Sequence, residues 1–243
     1  MAERRNILVT GGSRGVGLAV AVRLVKDGWR VIALARKPTD ALKTAIKSAD
    51  GALHFKAFDL SQLDAIPDMV RDLKKEFGPI YGLVNNAALG TDGLLSNMHV
   101  TQIEEVVKLN TVSPMVLTKH AVRGMMTAGE GRVVNISSII GSTGYSGLSV
   151  YGATKASMIG FTKSLAREVG RMNVTVNAVA PGFMDTDMTQ SLNEGHRAQI
   201  ARRSALQRLV NVEDVANAVS FLMSDAARNI TGTVMTVDAG NTA

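Results

Sequence analysis

The chain has 243 residues, no cysteine, 46% hydrophobic residues and a formal net charge of +6. Those figures suit one domain with a sizeable core, argue against a disordered chain, and exclude disulfides and thiol catalysis. Lys and Arg are scattered without a basic run and aromatics make up only 4%, so nucleic-acid binding is not expected. No apolar stretch approaches the ~20 residues of a membrane helix. The apolar run behind Arg4 and Arg5 stops at a glycine turn, so neither a membrane span nor a secretory leader is expected. The missing cysteines fit a cytoplasmic protein. The mildly basic surface suits an acidic carrier protein or a phosphorylated substrate, and equally a set of solvated helix faces.

Asn6–Thr10 is a short apolar run that reads as a buried strand, and Leu18–Val25 reads as a helix. Between them lies Gly11-Gly12-Ser13-Arg14-Gly15-Val16-Gly17. Strand, glycine turn, helix is the setting in which backbone approaches a pyrophosphate and a helix N-terminus offers free N–H groups. Further strand-like runs recur at Arg30–Ala35, Leu53–Ala57, Ile80–Asn85, Arg132–Ser137, Thr175–Ala180 and Thr233–Val237, with helical periodicity in most gaps. Alternation of this kind predicts one α/β domain over 1–243: a doubly wound, Rossmann-type parallel sheet of about seven strands with helices on both faces. Thr39 or Asp40 is expected to cap a helix after Pro38, Ser61 one before Leu63, and Gly78 to end the latter.

The second strand run ends in Arg36-Lys37, where an acidic residue would hold the ribose 2′-hydroxyl of NAD. Two cations there, with Arg14 of the glycine turn, favour a 2′-phosphate and so NADP(H). Asp59-Leu60 follows the third run, Asn85-Asn86-Ala87 closes the fourth, and Pro181-Gly182 follows the sixth. Tyr151-Gly-Ala-Thr-Lys155 sets a phenol and an ammonium on one helical face. A nearby cation favours the phenolate and lowers the tyrosine pKa, making Tyr151 a usable acid or base. Ser138, just past the fifth run, offers a hydroxyl to hold a carbonyl oxygen beside the phenol; Ser137 competes for that role. The four histidines have no paired metal spacing, so no metal is expected, and Ser138 lacks a nucleophile-elbow setting.

With the glycine turn, Asn86, Ser138, Tyr151 and Lys155 in this order, the whole chain resembles the short-chain dehydrogenase/reductase family. Gly131–Ser138, Gly160–Glu168 and Pro181–Thr189 make it most similar to the 3-oxoacyl-(acyl-carrier-protein) reductases within that family. The resemblance implies catalytic Asn110, Ser138, Tyr151 and Lys155, with Ser138 chosen over Ser137 by its spacing to Tyr151. It implies a cofactor site built from Gly11, Gly12, Ser13, Arg14, Gly15, Gly17, Arg36, Lys37, Asp59, Leu60, Asn86, Ala87, Tyr151, Lys155, Pro181, Gly182, Met184 and Thr186. Asp59 would bond the adenine amino group, although it equally suits a helix cap. Asn110, in a helical stretch from Thr101 to about Met126, needs partners that a bend or a bound water would supply. Residues 183–211 would form a mobile substrate-covering segment, and the assembly would be a homotetramer.

The implied reaction is NADPH-dependent reduction of a ketone to a secondary alcohol, first a 3-oxoacyl group on acyl carrier protein, as in fatty acid synthesis. The alternatives are an enzyme acting on a free ketone, sugar or cyclic alcohol, and a nucleotide-sensing protein without turnover. Two departures stand out: Ala88 where the family carries Gly, and Thr127–Glu130 without the cations that related carrier-protein reductases carry. Arg123, Arg132, Arg167 and Arg171 are the candidates to compensate.

Overall fold

The computed structural model describes residues 4–184 and 194–243. In chain order the strands are β1 (Asn6–Thr10), β2 (Arg30–Ala35), β3 (Leu53–Ala57), β4 (Ile80–Asn85), β5 (Gly131–Ile136), β6 (Val174–Pro181) and β7 (Val234–Val237). They form a single sheet in the order β3-β2-β1-β4-β5-β6-β7, parallel throughout. The order reverses between β1 and β4, which opens a crevice at their carboxyl ends. The helices are α1 (Gly15–Lys26), α2 (Asp40–Ser48), α3 (Ile66–Phe77), α4 (Val100–Val107), α5 (Ser113–Ala128), the short α6 (Ile140–Thr143), α7 (Ser149–Val169), α8 (Glu194–Arg203) and α9 (Val212–Met223).

Strand alternation divides the core. In β1, Ile7 and Val9 pack with Val20 and Leu24 of α1, Leu42 of α2 and Val215 and Leu222 of α9. Leu8 points the other way, among Leu73 of α3, Leu117 and Met125 of α5 and Leu165 of α7. Both faces are therefore covered, as near-continuous apolar strands require. No helix among the described residues is long and apolar enough to cross a membrane.

Local chemistry sets the ends. Thr39 caps α2, its hydroxyl accepting the Leu42 N–H at 3.2 Å. Gly78, at φ 89°, closes α3. Ser61 does not cap: its N–H donates to Asp59 at 2.9 Å, a tight turn at Leu63–Ala65 intervenes, and α3 starts only at Ile66. The long helical stretch is two helices joined through a π turn at Lys108–Val112, so a bend supplies the partners that Asn110 needs. Arg132 is buried beneath Tyr81, 5.6 Å from its ring centroid, and is not free to meet a carrier protein.

Candidate active site

The glycine turn is shaped by close packing at three glycines and by open space at the fourth. A Cβ on Gly11 would meet Asn86 Nδ2 at 2.8 Å, one on Gly12 the Ala33 Cβ at 2.8 Å, and one on Gly17 the Gly11 carbonyl at 2.2 Å. Gly15, at φ 52°, has nothing within 4 Å of an added Cβ. α1 starts there, with no side chain capping its N-terminus and no acid in its first turn. An uncapped helix start beside an open glycine is a cradle suited to a diphosphate. The turn is fastened from below: Thr10 Oγ1 accepts the N–H groups of Asn86 and Ala87 at 2.9 and 3.0 Å, and Asn86 Nδ2 donates to the Thr10 carbonyl at 2.9 Å. These bonds join β1 to β4 at the mouth of the crevice.

Arg36 and Lys37 are exposed at the end of β2, and Arg14 is exposed on the glycine turn. The Asp59 carboxyl is held below its usual range, first by the Ser61 N–H and also by the Arg36 charge, against the effect of burial. Asp59 thus closes a tight turn and caps neither Leu63–Ala65 nor α3. Leu60 is buried, and its carbonyl accepts the Ser113 hydroxyl at 2.7 Å. Pro181 and Gly182 lie at the end of β6; an added Cβ on Gly182 would come within 2.8 Å of the Asp238 backbone. Met184 is partly buried and bridges to Val210. Thr186 lies outside the described residues, as does the rest of 185–193 within the expected covering segment. Ala88 does not take a positive φ, so its methyl strains no backbone.

Ser138, Tyr151 and Lys155 converge where β5 meets α7. The Ser138 hydroxyl lies close enough to the Tyr151 phenol to favour its ionised form. Ser138 Oγ accepts the Ile140 N–H at 3.2 Å. Ser137 is spent elsewhere, since its hydroxyl donates to the Lys155 carbonyl at 2.8 Å and fastens β5 to α7. Lys155 is buried; its Nζ donates to the Ile136 carbonyl at 2.9 Å and stands 5.6 Å from the Tyr151 ring centroid. Burial brings its pKa down to about 8. The cost of burying the ammonium is thus carried in full below pH 8 and relieved as pH rises towards the ordinary lysine value.

Tyr151 differs from expectation. Burial raises its phenol above the usual value and the nearby Ser138 hydroxyl acts against that rise. The lowering expected from Lys155 does not offset that burial. Tyr151 is therefore a protonated phenol at neutral pH.

Asn110 is buried in the π turn. Its Oδ1 accepts the Leu89 N–H at 2.8 Å, and its Nδ2 donates to the Leu89 carbonyl at 2.9 Å and the Thr154 hydroxyl at 3.2 Å. The strand behind the site is held by buried amides: Asn85 Nδ2 donates to Thr118 and to Asn135, and Asn135 Nδ2 to Thr162. Sequence reasoning missed Thr10, Thr154, Asn135 and Thr162. Their one signal is position: Thr10 and Asn135 near strand ends, Thr154 between Tyr151 and Lys155, and Thr162 about two turns further along α7. Beside the site, Tyr145 meets Phe183 with ring centroids 5.5 Å apart.

A family model described as short chain dehydrogenase matches residues 5–197. The chain belongs to the short-chain dehydrogenase family. It is 40% identical over 240 residues to the 3-oxoacyl-(acyl-carrier-protein) reductase FabG of Escherichia coli K12, covering 98% of this chain and 97% of that protein. It is 38% identical over 238 residues to FabG of Vibrio cholerae, with 98% and 97% covered, and 40% over 237 residues to FabG of Pseudomonas aeruginosa, with 96% and 95% covered. As a short-chain dehydrogenase it is an oxidoreductase acting between carbonyl and alcohol groups, and the resemblance read from the motifs holds across the chain.

Proposed function

We propose that this short-chain dehydrogenase reduces a 3-oxoacyl thioester carried by an acyl carrier protein to the secondary alcohol, with NADPH as reductant. One observation carries the chemistry: a protonated Tyr151 phenol beside Ser138, with buried Lys155 5.6 Å from its ring centroid, at the carboxyl end of the sheet. The names of the relatives support the substrate. The open cradle at Gly15 fits the cofactor's diphosphate, with Gly11, Gly12, Ser13 and Gly17 shaping the turn. Arg14, Arg36 and Lys37 would receive the 2′-phosphate, Asp59, Leu60, Asn86 and Ala87 would border the adenosine, and Pro181, Gly182, Met184 and Thr186 would face the nicotinamide.

When bound, the reduced nicotinamide supplies a hydride for the carbonyl carbon. Ser138 donates a hydrogen bond to the carbonyl oxygen and fixes it, as an oxyanion-hole donor does. Tyr151 gives its proton to that oxygen as negative charge develops there. Lys155 holds positive charge beneath the phenol and, with Asn110, lies on the route by which the proton is replaced. Asn110 also positions the site, because its amide ties the segment after β4 to α7. Residues 183–211 would cover the bound substrate. Exposed Val107, Val112 and Met126 and the half-open edge strand β7 are compatible with a homotetramer.

The deciding experiment follows consumption of NADPH with acetoacetyl-acyl-carrier-protein, a free acetoacetyl thioester and simple ketones. The carrier-linked substrate is expected to have the highest kcat/KM. A preference for free ketones or sugars would replace the substrate, and silence towards all of them would leave only a nucleotide-binding protein.

Two further outcomes follow from the geometry. Reduction needs Tyr151 protonated and Lys155 charged, both favoured by acid, and Lys155 titrates first, at about 8. The kcat/KM for NADPH, which reports the free enzyme, is expected to be level below that pH and to fall above it. Asn110→Ala strands the Leu89 backbone groups. It is expected to cost about 1–3 kcal/mol in urea unfolding and to lower kcat more than it raises KM.

A further inference from the structure

On the face opposite α1 and α9, away from the cleft, basic side chains of two helices converge. Arg71, Lys74 and Lys75 of α3 and His120 and Arg123 of α5 line a groove of about 390 Å³ floored by Pro67 and Val70. No carboxylate lines it; Asp68, at the rim, is paired with Arg71 at 2.8 Å. Lys74 is half-buried, with its ammonium laid against Gly124: a Cβ there would stand 2.8 Å from Nζ. The glycine lets the cation lie in the groove rather than extend into solvent. His120 senses the resulting field: its pKa is lowered by burial first, then by Lys119, Arg123 and Lys74. His120 and Arg123 lie two to three turns along α5 from Ser113, roughly 10–15 Å from the catalytic end of the helix. A ketone held at Tyr151 does not reach them.

We propose that this groove is a binding site for a small phosphorylated molecule, a phosphomonoester or a diphosphate. Asp68 answers only Arg71, so Lys74, Lys75 and Arg123 still repel one another, and a compact dianion between Lys74 and Arg123 reduces that cost. Arg123 offers a planar fork to two phosphate oxygens, Lys74 a point charge, and His120 a titrating N–H. The Pro67 and Val70 floor receives the organic part of such a ligand. A volume of about 390 Å³ is of the size that small-molecule sites have, which suits a small anion.

The test titrates the full chain with inorganic pyrophosphate at constant ionic strength, following the His120 imidazole by NMR. Because His120 is remote from the glycine turn, it separates this groove from anion binding at the cofactor cradle. Expected are a saturable shift, a His120 pKa raised by about one unit, and at least tenfold weaker binding in Lys74→Gln and in Arg123→Gln. Both side chains are at or near the surface, and each variant is taken forward only with the wild-type Tm; Lys75→Gln is the replacement if one unfolds. The proposal is overturned by an absent or non-saturable shift, or by equal binding in the variants. It is likewise overturned if polyglutamate shifts His120 and pyrophosphate does not, which would make the groove a docking surface for an acidic protein.

Discussion

Tyr151→Phe is expected to lower kcat for ketone reduction by about 10²–10⁴-fold, the usual contribution of a positioned general acid, while the Kd for NADPH stays within about twofold. The substitution separates chemistry from packing. Phenylalanine keeps the ring against which the Lys155 ammonium lies, 5.6 Å from its centroid, and so leaves the lysine seated on the Ile136 carbonyl. What goes is the phenol hydroxyl beside Ser138, the group proposed to deliver a proton to an oxygen that Ser138 holds. Steady-state kinetics and fluorescence titration of NADPH provide both numbers. Turnover near the wild-type rate would remove Tyr151 as proton donor, and loss of NADPH binding would make its role structural.

The second large effect concerns the choice of cofactor. Replacing Arg36 with Asp and Lys37 with Ala is expected to shift the ratio of kcat/KM for NADPH over NADH by roughly 10²-fold towards NADH, since hydrogen bonds to charged groups are worth about 1.5–3 kcal/mol. Both side chains are exposed at the end of β2, beside a glycine turn that the Thr39 hydroxyl ties to the start of α2. The substitutions therefore leave the fold intact. The new carboxylate would bond a 2′-hydroxyl and repel a 2′-phosphate. An unchanged ratio would show that the 2′-phosphate is held elsewhere or not at all.

The strands were legible because their physics is local. β1 to β4 run as expected, each a short apolar run closed by glycine, charge or a polar turn. β5 starts one residue early at Gly131, and β6 extends one residue at each end to take in Val174 and Pro181; propensity discounts Gly and Pro in strands, but the ladder overrides it. α1 likewise starts inside the glycine turn, at Gly15, because Gly17 must come close to the Gly11 carbonyl. Ser138 was chosen over Ser137 by its spacing to Tyr151; the bond that ties Ser137 to the Lys155 carbonyl was not legible, because alternation says only that neighbouring side chains point apart. Tyr151 was read too simply. Spacing puts an ammonium near the ring, but the burial that raises the phenol comes from the fold and not from the local sequence. The basic groove was invisible for a plainer reason, since its cations come from two helices far apart in the sequence.

The π turn at Lys108–Val112 has a consequence for how this enzyme could be stabilised. A widened turn holds one residue more than the regular helix on either side needs. Excising Thr111 would let α4 and α5 fuse into an uninterrupted rod with better backbone geometry. The same excision would swing Asn110 away from Leu89 and Thr154, unfastening the cleft floor from the helix that bears the phenol. A sturdier helix would come at the expense of turnover, so selection for heat resistance alone would drive this segment towards an inert protein.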